Sequence, residues 1–122
     1  MIKFACVFVL VLFIFQARAF TAEIWFDRTY SRDGEKYDWY LVTEAVEEDF
    51  DNKEFLVLVK TAYNGERAVG SKPFRFRLVD NVWYAKHKQS RNDFVRVNGN
   101  DNYEKMFDAC IPYCKLAQTY PR

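Results

Sequence analysis

The feature that most constrains this chain is the stretch Phe74-Arg75-Phe76-Arg77-Leu78-Val79, in which apolar and charged side chains alternate strictly. Successive side chains of a strand point to opposite faces, so such a stretch is satisfied as a β-strand with one buried face. Asp80-Asn81 follows as a two-residue turn. The register set by this turn pairs Val79 with Val82, Leu78 with Trp83, Arg77 with Tyr84, Phe76 with Ala85 and Arg75 with Lys86. One face of the hairpin then carries Phe74, Phe76, Leu78, Trp83, Ala85 and His87. The other carries Arg75, Arg77, Tyr84 and Lys86. The first is a core face and the second a solvent face.

The same pattern recurs upstream. Glu23 to Tyr30 alternates, with Ile24 and Phe26 on one side and Glu23, Trp25 and Asp27 on the other. Arg32-Asp33-Gly34-Glu35 reads as a turn, because Asp-Gly accepts the positive φ of tight hairpins. Tyr37 to Val46 is rich in aromatic and β-branched residues and reads as a second strand. Residues 47–53 form a charged connection. Glu54 to Tyr63 is a third strand, with Phe55, Val57 and Val59 on one face and Leu56 and Leu58 on the other. That arrangement predicts a central strand covered on both sides. Asn64-Gly65 is a further hairpin signal, and Phe94 to Val97 a short last strand.

After the Asn98-Gly99-Asn100 loop, Asp101 with Glu104 approximates a capping box. Tyr103, Phe107, Cys110 and Cys114 recur at helical spacing. Pro112 places the helix end, or a kink, near Ala109. The fold class is therefore α+β, mainly β. It is an antiparallel meander of about five to six strands, as a curved sheet or small barrel, with a C-terminal helix.

Residues 1–19 read as a cleavable secretory signal: Lys3 supplies the positive n-region, Phe4 to Phe15 the apolar run, and Ala17-Arg18-Ala19 the small residues at the cleavage positions. The run is shorter than the roughly 20 residues that cross a bilayer, so no transmembrane span is expected. Residues 20–122 form one small globular domain, and the product is expected to be secreted and extracellular. No Asn-x-Ser/Thr triplet invites N-glycosylation.

The chain has 18 basic and 17 acidic residues, of which the leader takes Lys3 and Arg18 and no acid, leaving −1. A balance so near neutral speaks against a dedicated nucleic-acid binder. The charge is uneven all the same. Residues 20–54 hold eleven acids and four bases, and residues 55–100 three acids and nine bases. The two halves can face and cancel each other, or leave a basic patch for a partner. Lys72, Arg75, Arg77, Tyr84, Lys86, Lys88 and Arg91 form the candidate binding face, suited to an extracellular protein, a sulfated glycan or an anionic surface.

Cys110 and Cys114 are the cysteines outside the leader, an even pair that predicts a disulfide pinning the chain end. Their Cys-Ile-Pro-Tyr-Cys context has one residue more than a redox Cys-Pro-Tyr-Cys pair and follows a helix instead of opening one. Asp49, Asp51, Asn52 and Glu54 crowd oxygen ligands, but the glycine and the glutamate of a calcium loop are absent, so a solvated acidic turn is expected and no metal. His87, the sole histidine, has no nucleophile or acid at a motif spacing and belongs to the edge of the core face. No catalytic residue and no cofactor is assigned. Three functions remain open. The first is a secreted, non-enzymatic binding protein using a sheet face or edge. The second is a carrier of a small apolar ligand in an aromatic-lined barrel. The third is a thiol-disulfide oxidoreductase using Cys110 and Cys114.

Overall fold

The computed structural model describes residues 22–67 and 70–122; the leader lies outside them. Six antiparallel strands run in chain order across a curled half-barrel, and a C-terminal helix sits on its concave side. The hairpin of the alternating stretch forms as its pattern demands. Strands β6 (Lys72–Val79) and β7 (Val82–His87) pair in the expected register, extended by Phe74 opposite His87. Asp80 and Asn81 adopt φ of 50° and 62°, the pair of positive values of a hairpin turn whose twist matches its strands.

Strand β1 (Glu23–Tyr30) pairs with β2 (Lys36–Val42) and is one edge of the sheet. Its simple alternation is broken by a bulge between Trp25 and Asp27. The extra residue, Phe26, shifts the phase. Asp27 therefore stands opposite Trp39 and is 4% exposed, whereas simple alternation groups it with Glu23 and the exposed Trp25. The second strand is shorter than its composition implies. It gives way after Val42 to a 3-10 turn (Thr43–Ala45), and β3 (Glu47–Asp49), within the supposed charged connection, resumes the pairing with β4 (Glu54–Tyr63).

β4 is central, flanked by β2 and β3 on one side and by β5 (Glu66–Arg67) and β6 on the other. Only one of its faces is covered, however. Phe55, Val57 and Val59 are buried, whereas Leu56 and Leu58 are half-buried. β8 (Val95–Arg96) closes the order beside β7.

Helix α1 (Asp101–Cys110) is capped one residue earlier than expected. The Asn100 Oδ1 accepts the Tyr103 N–H at 3.1 Å, and Glu104 reaches back to the Gly99 N–H at 2.8 Å. Pro112 stops it within a 3-10 turn (Ile111–Tyr113), and a short helix α2 (Lys115–Thr119) follows. α1 buries Met106, Phe107 and Cys110 in the concavity. There the Phe107 ring lies 5.3 Å from Trp83, 5.9 Å from Phe55 and 6.0 Å from Phe76, and Phe55 stacks on Phe76 at 4.8 Å. Trp83 also donates its indole N–H to the Tyr120 carbonyl at 2.6 Å, tying down the chain end.

Candidate binding face

Alternation along β6 and β7 puts Arg75, Arg77, Tyr84 and Lys86 on the convex side, away from α1. Across the strands Arg75 stands beside Lys86, and Tyr84 stands between Arg77 on β6 and Arg96 on β8. Arg75 and Arg77 are 36% and 38% exposed, and Arg96 is exposed. An acid among them is Glu54 on β4, which pairs with Arg77 Nε and lies 4.0 Å from Arg75. Phe94 lies just before β8. The Arg77 guanidinium is 4.3 Å from its ring centroid and the Lys86 ammonium 5.3 Å, so both cations face the ring's negative π-cloud. Arg77, Val79, Tyr84, Asp93 and Phe94 line an open cleft of about 310 Å³.

The other members of the predicted face are scattered. Lys72 shares its parity with Phe74, not with Arg75, and its ammonium lies 5.3 Å from the Trp39 ring. Lys88 lines a second cleft of about 270 Å³ with Glu47, Asp49, Glu54 and Arg75, where acids and bases meet. Arg91 is exposed in the loop after β7. The sequence does not single out Arg96 or Phe94. Their signal is the register of β8 on β7, and the loop 88–94 leaves that register undefined until the fold sets it.

At the opposite edge Trp25 is 51% exposed, its indole N–H donated to Asp38 Oδ1 at 2.9 Å, and Arg28 holds the same carboxylate at 2.8 Å. These two bonds, that from Arg28 first, lower the Asp38 pKa below its ordinary value. Trp25 lines a cleft of about 360 Å³ with Ile24, Phe26, Pro112 and Tyr113.

The disulfide predicted between Cys110 and Cys114 is not formed in the structure; both are free, buried thiols. The 3-10 turn separates them, with Cys110 ending α1 and Cys114 preceding α2. The Cys114 thiol donates to Glu48 Oε1 at 3.3 Å, and the same oxygen accepts the Leu116 N–H at 2.8 Å. Burial pushes the Cys114 pKa up to about 12, with Glu48 adding to the effect, and pushes Cys110 up as well. A redox nucleophile needs the reverse, a thiol whose pKa is lowered by nearby positive charge. His87 accepts the Gln89 N–H on Nδ1 at 3.1 Å and sets its ring edge-on to Phe74. Asp49 is occupied within its own turn by Asn52, whose side-chain amide donates at 2.8 Å and backbone N–H at 3.2 Å. Among the described residues, no cluster of three His, Cys, Asp or Glu side chains could hold a metal ion, and no helix is long and apolar enough to cross a membrane.

No known protein family, curated protein sequence or solved structure matches this chain.

Proposed function

We propose that this chain is a secreted, non-enzymatic binding protein that holds an anionic extracellular partner on the convex face of β6, β7 and β8. The observation that carries this reading is the in-register array Arg75–Lys86 and Arg77–Tyr84–Arg96, four cations flanked by Glu54 beside the arginines, by Asp93 in the cleft of Arg77 and Tyr84, and by Glu47 and Asp49 in the cleft of Arg75. The leader pattern of residues 1–19 supports the compartment. The concave side is taken up by α1 and its interlocked rings, so the surface available to a partner is the outer one. Arginine forks and a lysine on a flat sheet recognise anions by charge-assisted hydrogen bonds.

Expression in secreting cells, followed by chromatography of the medium on an immobilised polyanion, tests the proposal. The protein is expected in the medium with a mass starting at Phe20, and it is retained at about 0.15 M ionic strength, where surface charges act over only about 8 Å. The charge-reversed variant Lys86→Glu/Arg96→Glu passes through unretained. Retention of that variant equal to the wild type would defeat the assignment of this face.

A further inference from the structure

We infer that the anionic partner is a sulfated polysaccharide, an inference that rests on the binding face proposed above. The pattern of that face, more than its charge, points there. Neighbouring strands lie about 5 Å apart and alternate residues of one strand about 7 Å. Arg75, Arg77 and Lys86 therefore cluster at one end, and Arg96 stands about 10 Å across the sheet from Arg77, with the Tyr84 ring between. The cations thus hold two positions, Arg75, Arg77 and Lys86 gathered about Glu54 and Phe94 and Arg96 set apart beyond Tyr84, which anions spaced along an extended chain can occupy together. A single phosphate or carboxylate would need them converging on one point.

The acids sharpen the choice. Glu54 sits beside Arg77, and Asp93 lines the cleft with Arg77, Tyr84 and Phe94. These carboxylates repel the side chains of an acidic peptide and the phosphates of an anionic lipid surface, and suit a partner that presents anions and hydroxyl donors side by side. A sulfated polysaccharide carries both groups. Its sulfates meet the guanidinium forks and the Lys86 ammonium, its free hydroxyls donate to Glu54 and Asp93, and the apolar faces of its rings lie on Tyr84. Arg77 and Lys86 already rest on the Phe94 ring, so little ordering is lost on binding.

The experiment measures binding of the protein from secreting cells to four probes at physiological salt: heparin, the same polysaccharide chemically desulfated, polyglutamate, and vesicles containing phosphatidylserine. Heparin is expected to bind, and the other three at least about tenfold more weakly. Lys86→Gln/Arg96→Gln weakens heparin binding by about tenfold, the loss of two charge-assisted contacts. Lys72→Gln removes one positive charge from the opposite face and leaves heparin binding unchanged. Asp93→Ala weakens binding even though it removes a negative charge, since the carboxylate acts as a hydroxyl acceptor. Circular dichroism confirms that each variant folds. Equal binding of polyglutamate or vesicles, or tighter heparin binding by Asp93→Ala, overturns the polysaccharide and leaves the anionic face standing. Failure of every polyanion to bind overturns both.

Discussion

At the residue scale, the informative side chains are those whose surroundings depart from what their type prefers. Trp25 is a large apolar group left half in solvent, and it is held there by a carboxylate that Arg28 keeps charged. Asp38 thereby couples the edge strand to pH. Its native pKa lies below the unfolded value of about 3.9, so its contribution to stability is full above that value and is lost as the pH falls through the native pKa. Asp38→Asn still accepts the Trp25 N–H but gives up the ion pair. Its melting temperature is expected to lie below the wild type by a constant amount near neutrality, with the gap closing below about pH 4. A gap that persisted unchanged to lower pH would mean that the charge of Asp38 contributes nothing. Asp27 shows why such features escape a reading of the sequence. Alternation from Ile24 to Asp27 is regular on paper. The bulge at Phe26 turns the carboxylate inward because Lys105 and Asn102 of α1, more than seventy residues on, meet it at 3.1 and 3.3 Å. Lys72 is the opposite case. Its parity with Phe74 takes it off the face of Arg75, to which the candidate binding face assigns it, while its contact with Trp39 depends on the pairing of β2, β4 and β6.

At the scale of elements, legibility tracks how local the determinants are. The β6–β7 hairpin is fixed by its own alternation and by two residues that accept positive φ, and so every pair of its register is recoverable from the chain. A β-branched residue is poorly suited to the left-handed backbone at Asn81. Asn81→Val is expected to cost about 1–2 kcal/mol, read as a lower denaturant midpoint with an unchanged slope. A cost near zero would mean that the turn relaxes and does not set the register. The kink at Thr43–Ala45 and the register of β8 have no such local cause. The first brings Glu48 over the start of α2, where it accepts the Leu116 N–H that no residue of that helix satisfies. The second brings Arg96 beside Tyr84 and so completes the candidate face. Four of the six residues of that face, Arg75, Arg77, Tyr84 and Lys86, are therefore written in one hairpin, while Arg96 and Phe94 depend on a pairing made through a loop.

At the scale of the molecule, charge and packing divide the sheet between them. The acidic first half and the basic second half do meet, through Glu54 with Arg75 and Arg77 and through Glu23 with Lys60. Cancellation is partial, and Lys86 and Arg96 stand on the convex side of β7 and β8. The concave side is closed by α1, and Phe107 is the residue through which this happens, since its ring touches both the β4–β6 stack and Trp83. A half-barrel of six strands without this helix would expose Phe55, Phe76 and Trp83 together, an apolar surface far larger than a soluble domain tolerates. Sheet and helix should therefore unfold as one unit. Phe107→Ala is expected to cost about 3–5 kcal/mol, the lost transfer energy plus the cavity left behind. That is a large share of the roughly 5–15 kcal/mol a domain has, so the variant is expected to be barely folded. Phe107→Leu keeps most of the volume and should lose about 1.5 kcal/mol or less, with a single unfolding transition seen alike by tryptophan fluorescence and far-ultraviolet circular dichroism. If the two signals separated in Phe107→Leu, with helix lost before the tryptophan environment changed, the sheet would be stable on its own and α1 an accessory to it.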